Sequence, residues 1–507
     1  MSQRKTVMKK ALIVLGAAIL FSICTFGQQN LTHGSYTKAR PILDRAIAAY
    51  GGVKELRSIE NVTFSVDGDT VHRNQSKRTF MFERTPYKAS FIIDVKNTRY
   101  RQQQDGHYPG GFDWVNGFAI NGSQGVSWDV LRKTTSTIAN LPASNFRGRL
   151  RLFPHFIMVN ALDRASRLRY LGNTTFDNRA HSVISYANED GLEISLYIDE
   201  KTGLLSKYET LGTDVFSGDV VNETIFTGYR QDGSRMMPTG RIDRRGGEMT
   251  NDFRIADVAF NQVLTDDNFK APKGMRMLAP GPGAPQGATK YADNIYTINV
   301  AGYNVLVVGF KDYAFVMETP GSDAVSRQAI AEVKKLFPGK PIKYFAVTHH
   351  HDDHAGGART YIAEGATLIG LPGEKTFFEK VTGSIFTIDP DSLRQNPQPL
   401  KWESIANSRH ILTDGTTTVE LIDIGPGGHT DEMLVAYLPN EKLIFQGDLL
   451  NRPANNDPAT INDTTVHFAN WLERSKLTVE RIIGVHGPQS TLDELRKGVA
   501  DKQSAPK

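Results

Sequence analysis

Four of the chain's 13 histidines fall within six residues, in Thr348-His349-His350-His351-Asp352-Asp353-His354-Ala355-Gly356-Gly357. The spacing is His-x-His-x-Asp-His. A sharp turn here can point His349 and His351 to one side and Asp353 and His354 to another. Imidazole and carboxylate are ligands accepted by zinc and similar borderline metals. A histidine-rich solvated loop would be the plain explanation, but three further candidate ligands follow. His429 lies in Gly425-Pro426-Gly427-Gly428-His429-Thr430, Asp448 in Phe445-Gln446-Gly447-Asp448, and His486 in Gly484-Val485-His486-Gly487. Singly, each could be a capping aspartate or a loop histidine. Together with the hexapeptide they describe a metal site built on loops.

A rigid scaffold must position such loops. The apolar runs Ile342–Val347, Val419–Ile424, Leu443–Phe445 and Ile482–Ile483 read as buried strands, and each precedes a candidate ligand. Glycine near each ligand allows the backbone to turn sharply after the strand. Further strands are expected at Ile295–Val300, Asn304–Gly309 and Tyr313–Glu318. Leu434–Leu438 should form a hairpin with Leu443–Phe445 through Pro439-Asn440-Glu441. Asp323–Leu336 reads as a helix, with Val325, Ile330, Val333 and Leu336 on its apolar face. This mix suits a sandwich of two sheets flanked by helices.

The N-terminal half has a different grammar. Ile42, Leu43, Ala46, Ile47 and Tyr50 form a helical apolar face that Gly51-Gly52 ends, and a short helix Val53–Ile59 follows. From Val62 to about Phe269 the pattern is strand-like. Ile194, Leu196 and Ile198 alternate with Glu193, Ser195 and Tyr197, and turns fall at Asp67-Gly68, Asp190-Gly191 and Asp232-Gly233. No ligand cluster stands out in it, and Trp114 and Trp128 read as core residues. The stretch Ala279-Pro280-Gly281-Pro282-Gly283-Ala284-Pro285-Gln286-Gly287 reads as an exposed linker. The expected organisation is a signal segment at 1–27, a β-rich domain at 35–272, a linker at 273–289 and a metal domain at 290–497.

Residues 1–27 combine a basic start, an apolar run from Ala11 to Phe26 and a small-x-small end at Thr25-Phe26-Gly27. That is the pattern of a secretory signal peptide. The run is shorter than the ~20 residues of a membrane span, although an uncleaved anchor is the alternative. Ile23 before Cys24 counts against lipoprotein processing. The mature protein is thus expected in the periplasm or outside the cell, without stable membrane insertion. Arg4, Lys5, Lys9 and Lys10 account for the whole formal charge of +4. A neutral remainder without basic blocks argues against nucleic acid as a partner. Cys24 is the only cysteine, so disulfides and thiolate ligands are excluded from the mature chain.

Residues 290–495 resemble the metallo-β-lactamase superfamily. The resemblance rests on the His-x-His-x-Asp-His with its trailing Ala-Gly-Gly, then Gly428-His429-Thr430, Phe445-Gln446-Gly447-Asp448 and Val485-His486-Gly487, in the family's order. It implies an αββα sandwich with two metal sites. His349, His351 and His429 would hold one ion, Asp353, His354 and His486 the other, and Asp448 would bridge them. Zinc is the expected metal, with iron or manganese as alternatives. Such a pair supplies a bound hydroxide at neutral pH. Asp353 and Asp448 would act in catalysis, and Asn451 and Arg452 are candidates for contacting a small-molecule substrate.

Two departures narrow the expectation. Zinc β-lactamases usually carry cysteine or serine where Asp448 stands; aspartate is typical of ester- and thioester-cleaving branches. About twenty residues follow His486, which counts against a glutathione-binding helical extension. Asp352 replaces a residue that is small or aromatic in many relatives, and the sequence alone offers no account of it. The expected activity is hydrolysis of an ester, thioester or lactone-like carbonyl. The alternatives are a β-lactamase, a mononuclear iron oxygenase using His349, His429 and Asp448, and an apolar-ligand carrier with a vestigial metal domain. The carrier alternative draws on a weaker resemblance of residues 37–272 to the lipoprotein-carrier type of fold, carried by the opening helix, Ile198-Asp199-Glu200 and Asp267-Asn268-Phe269. A scaffold or docking role is the simpler reading of that half.

Overall fold

A computed structural model describes residues 30–278, 287–453 and 459–504. The signal segment 1–27 and the centre of the linker, 279–286, lie outside the described residues. The chain forms two compact units. Among the described residues, one comprises 30–58, Phe153–Tyr208 and Gln231–Met236; the other comprises Ile59–Leu152, Glu209–Arg230 and those from Met237 to Ser504. Among the described residues, no helix is long and apolar enough to cross a membrane.

In the first unit the opening helix runs Leu31–Ala49, with Asn30 capping it through His33 N–H. Leu43, Ala46 and Ile47 are buried, as the 3.6-residue spacing predicts. A second helix, Val53–Arg57, follows Gly51-Gly52. Strands Arg169–Phe176, Arg179–Ala187 and Glu193–Asp199 form an antiparallel meander. Ile194, Leu196 and Ile198 all face its core.

In the second unit, strands Asn61–His72, Glu83–Asp94, Arg99–Tyr108, Phe112–Asn121, Gln124–Asp129 and Thr134–Ile138 form a continuous antiparallel meander. Glu248–Phe260 pairs with the free side of Asn61–His72. Antiparallel order brings alternate connections to one end of the sheet. The loop 73–82 and the turn 109–111 therefore emerge together, stitched where Thr85 Oγ1 donates to the His107 carbonyl at 2.7 Å. Trp128 is core as expected, whereas Trp114 is only half-buried and sits 5.8 Å from Tyr87 and 6.1 Å from Tyr108 between ring centroids.

From Gly287 onward this unit is a sandwich of two sheets flanked by helices. One sheet has seven strands, in the order Gly287–Ala292, Ile295–Val300, Tyr303–Gly309, Ala314–Met317, Ile342–Ala346, Thr367–Gly370, Lys401–Ser404. The other has six: Arg409–Thr413, Thr418–Asp423, Leu434–Leu438, Leu443–Gln446, Arg481–Gly484, Ser490–Thr491. Leu306, Val308, Phe315, Met317, Leu421, Ala436, Phe445 and Ile483 fill the layer between them. Helices Asp323–Leu336, Ala358–Ala363 and Lys375–Gly383 cover the outer face of the first sheet. Helices Asp463–Ser475 and Leu492–Ser504 cover the second.

The helix Ala358–Ala363 begins three residues after Ala355 and is anchored by a buried ion pair. Arg359 holds Asp391 through Nε and Nη2 at 2.5 and 3.1 Å and donates to the carbonyls of Val381 and Thr382. Arg359→Met should cost about 3–5 kcal/mol, because it strands the buried Asp391 charge. Chemical denaturation of the two proteins measures this directly. A loss under about 1 kcal/mol would show that Asp391 finds another partner.

Candidate metal centre

The candidate ligands meet because the strands that precede them are in register. Leu443–Gln446 and Arg481–Gly484 are parallel, with Gln446 opposite Gly484. Asp448 and His486 each lie two residues beyond that pair. They come together, with His486 Nε2 3.2 Å from Asp448 Oδ1. Ala314–Met317 and Ile342–Ala346 are likewise parallel, with Met317 opposite Ala346. Glu318 and Thr348 therefore follow side by side, and Thr348 N–H donates to Glu318 Oε1 at 2.8 Å.

Two overlapping groups result. His349, His351, His429 and Asp448 each offer one ligand atom, all within 4.8 Å of one another, and so do Asp353, His354, Asp448 and His486. Asp448 belongs to both. All seven residues singled out in the sequence are thus brought together. In the first group His349 Nε2 lies 2.9 Å from His351 Nδ1 and 3.1 Å from His429 Nε2. Asp448 Oδ2 is 3.3 Å from His429 Nε2 and 3.4 Å from His354 Nε2. In the second, Asp353 Oδ2 is 3.6 Å from His354 Nε2 and 3.4 Å from His486 Nε2.

The rings are held from behind. His349 Nδ1 is 3.0 Å from Thr348 Oγ1, and His351 Nε2 donates to the Ser76 carbonyl at 2.9 Å. His354 Nδ1 donates to Glu318 Oε2 at 3.0 Å. A carboxylate behind a histidine fixes its tautomer and raises its basicity toward a metal. Glu318 is fully buried and has φ +92°. That conformation costs a non-glycine residue about 1–3 kcal/mol, a strain that clusters at functional sites. Tyr303 packs edge-on against His486 with ring centroids 5.4 Å apart. Gln446, also fully buried, accepts from Leu449 and Leu450 N–H and so shapes the loop carrying Asp448. Gly447 is required there, because a Cβ would press on Thr348 Oγ1 and the His349 ring.

The residues fit a divalent cation. His354 Nε2 is buried, makes no hydrogen bond and faces the oxygens of Asp353 and Asp448. Burial pushes His349 and His351 well below the usual imidazole value, which leaves neutral lone pairs for coordination. Burial also opposes charge on His354, but Asp353, Glu318 and Asp448 outweigh it and hold it high. Burial likewise opposes charge on Asp448, yet His486 and His354 keep it well below the carboxylate range. These carboxylates call for positive charge among them. His350, the remaining histidine of the hexapeptide, lies 6.0 Å from the Phe377 ring, and burial pushes it down to about 4.

The N-terminal meander also reaches this centre, which the sequence reading did not anticipate. The Phe112 ring meets His429 edge-on at 5.5 Å, and the Gly110 carbonyl accepts from Thr464 Oγ1 at 3.3 Å. A Cβ on Gly110 would fall on the His429 ring. Gly110→Ala should therefore weaken metal retention, by roughly 10-fold for a displaced ligand. Competition with a coloured chelator reads this, and parent-like affinity would show that the turn simply yields. Of the two residues proposed to contact substrate, Asn451 donates to Asp448 Oδ1 at 3.2 Å. Arg452 instead binds Glu494 and the Gln489 carbonyl, both at 3.1 Å, so its charge is engaged away from the ligands.

The family model for the metallo-beta-lactamase superfamily matches residues 299–486. This segment belongs to the metallo-beta-lactamase superfamily. It is a metal-dependent hydrolase fold, with every ligand position of the motif present. Among solved structures, a metallo-beta-lactamase from Pontibacter korlensis is 19% identical, covering 43% of this chain and 99% of its own, with a TM-score of 0.31. The metallo-beta-lactamase FIM-1 from Pseudomonas aeruginosa, in a mono-zinc form, is 22% identical over 44% of this chain and 99% of its own, with a TM-score of 0.32. The sec-alkylsulfatase Pisa1 from Pseudomonas sp. is 16% identical over 43% of this chain and 41% of its own, also with a TM-score of 0.32. The family match does not extend into residues 35–272, where the likeness to the lipoprotein-carrier fold finds no support.

Proposed function

We propose that the protein is an exported, binuclear metal-dependent hydrolase acting on an ester, thioester or lactone-like carbonyl of a small molecule. The observation that carries the binuclear reading is the position of Asp448 within both ligand groups. His349, His351 and His429 would hold one cation, Asp353, His354 and His486 the other, and Asp448 would join them. Their nitrogen and oxygen donors suit zinc. A bound cation pair supplies a water-derived nucleophile at neutral pH and polarises the substrate carbonyl. Asp448 and Asp353 would orient that nucleophile, with Asn451 donating to Asp448 Oδ1. The hydrophobic segment at 1–27 supports export, which sequencing the N-terminus of the periplasmic or secreted protein would test; a start at Gln28 is expected.

Metal analysis of protein purified without added metal tests the binuclear reading. Two equivalents of zinc are expected. One equivalent of iron would favour oxygen chemistry on the His349, His429 and Asp448 set.

The substrate class follows from Asp448. An aspartate offers anionic oxygen to both cations, which favours attack on an acyl carbon with departure of an alkoxide or thiolate. A lactam nitrogen is a poorer leaving group and gains more from a cation free to receive it. Compared at one pH with saturating zinc, esters or thioesters should give the highest kcat/KM. Turnover of a β-lactam at ~10⁵ M⁻¹s⁻¹ or above, within the ordinary enzyme range, with esters orders of magnitude slower, would overturn the assignment.

A further inference from the structure

We infer that Gln75, from the N-terminal antiparallel sheet, is a positioning residue of the metal centre, holding Asp353 through a clamp anchored on Asp352; this rests on the metal reading above. Gln75 lies in the loop between strands Asn61–His72 and Glu83–Asp94. Its Nε2 donates to Asp352 Oδ1 at 2.6 Å and to Asp353 Oδ1 at 2.9 Å. A primary amide has two N–H groups, and an ionised carboxylate only accepts. The amide nitrogen is therefore fully committed to the pair. Gln75 takes one oxygen of Asp353 and leaves Oδ2 facing His354 and His486. A carboxylate split in this way cannot swing both oxygens toward solvent or toward one cation.

Three consecutive residues brace three consecutive residues. The Asn74 carbonyl accepts from Asp352 N–H at 3.3 Å, Gln75 holds Asp352 and Asp353, and the Ser76 carbonyl accepts from His351 Nε2 at 2.9 Å. The brace is itself rigid. Ser76 is fully buried, with Oγ 2.6 Å from the carbonyls of both His72 and Met81, and Lys77 N–H donates to Glu83 Oε2 at 2.6 Å. Asp431 N–H donates to the Lys77 carbonyl at 2.9 Å, and Arg78 pairs with the Asp431 carboxylate. The arrangement also accounts for Asp352, the departure that the hexapeptide alone left unexplained. Its carboxylate is the anchor on which Gln75 rests. The clamp touches only the Asp353 group, whereas the Ser76 contact is a backbone one that side-chain replacement preserves. Loss of the amide should therefore act on one cation and spare the other.

The experiment is calorimetric titration of metal-depleted full-length protein with zinc, for the parent, Gln75→Met and Asp352→Ala, with circular dichroism to confirm folding. The parent should bind two equivalents. Gln75→Met, similar in length but without donors, should weaken one of them by about 10- to 100-fold, as loss of an outer hydrogen bond to a ligand does. The other equivalent should stay within about threefold of the parent on the same argument. Asp352→Ala should weaken the same equivalent by a smaller factor, and it serves if Gln75→Met does not fold. Two equivalents held as tightly as in the parent by a folded variant would overturn the inference. Equal weakening of both would do so as well, since it signifies general destabilisation. A parent that binds no zinc would overturn the metal reading itself, and this inference with it.

Discussion

Asp448→Ala is expected to lower kcat/KM by about 10³- to 10⁵-fold while leaving the fold intact, which corresponds to about 4–7 kcal/mol of transition-state stabilisation at 1.36 kcal/mol per factor of ten. Three imidazole nitrogens, from His354, His429 and His486, lie 3.2–3.4 Å from its two oxygens. No other residue belongs to both ligand groups. Removing it takes the shared anion from both cations at once and leaves Asp353 as the one carboxylate facing both His354 Nε2 and His486 Nε2. The fold should survive because the loop is shaped by Gln446, whose contacts to Leu449 and Leu450 do not involve the Asp448 side chain. The checks are metal stoichiometry, circular dichroism and steady-state kinetics on the best ester substrate. A folded variant with two tightly held cations and activity within tenfold of the parent would remove Asp448 from its bridging role.

Chelation should abolish turnover yet change the far-ultraviolet signal little, with activity returning on addition of zinc. A small zinc finger unfolds without its ion because it has no other core. Here the layer between the two sheets contains Leu306, Val308, Phe315, Met317, Leu421, Leu434, Phe445 and Ile483, each at most 1% exposed. Side chains of that size contribute about 1.5–3 kcal/mol apiece when fully buried, so the sandwich does not depend on the cations to form. Local loosening is expected around the hexapeptide, where buried histidines and carboxylates would lose their common partner. The comparison needs activity and circular dichroism on the same samples before chelation, after it and after zinc is restored. Collapse of the secondary structure on chelation would make the metal structural and undercut the catalytic reading.

The candidate ligand set was legible in the residues because its members follow apolar runs and the types are few. Strands at Ile295–Val300, Leu434–Leu438 and Ile342–Ala346, and the helix Asp323–Leu336, stand where apolar spacing puts them, within a residue or two. The helix is strongly periodic, and in Leu434–Leu438 burial of every residue leaves little choice of conformation. Trp114 was less predictable. Whether an aromatic side chain is covered depends on neighbours that local pattern does not reveal, here the rings of Tyr87 and Tyr108 and the bare backbone of Gly106.

By itself the sequence determined the chemistry on offer: seven ligand-type side chains, in order, at strand ends, with no thiol among them. It could not disclose which groups stand behind them. Glu318 looks like the last residue of a strand, and only the parallel register of Ala314–Met317 with Ile342–Ala346 turns it toward His354. Gln75 and Ser76 are 275 or more residues from their partners. Nothing in their own surroundings marks them, because a lone glutamine or a backbone carbonyl has no pattern. Such contacts exist only once the meander places the loop 73–82 against the hexapeptide. Local spacing is written in the order of the chain, whereas a second layer of partners is selected by whatever surface packs there, and only the tertiary structure decided that.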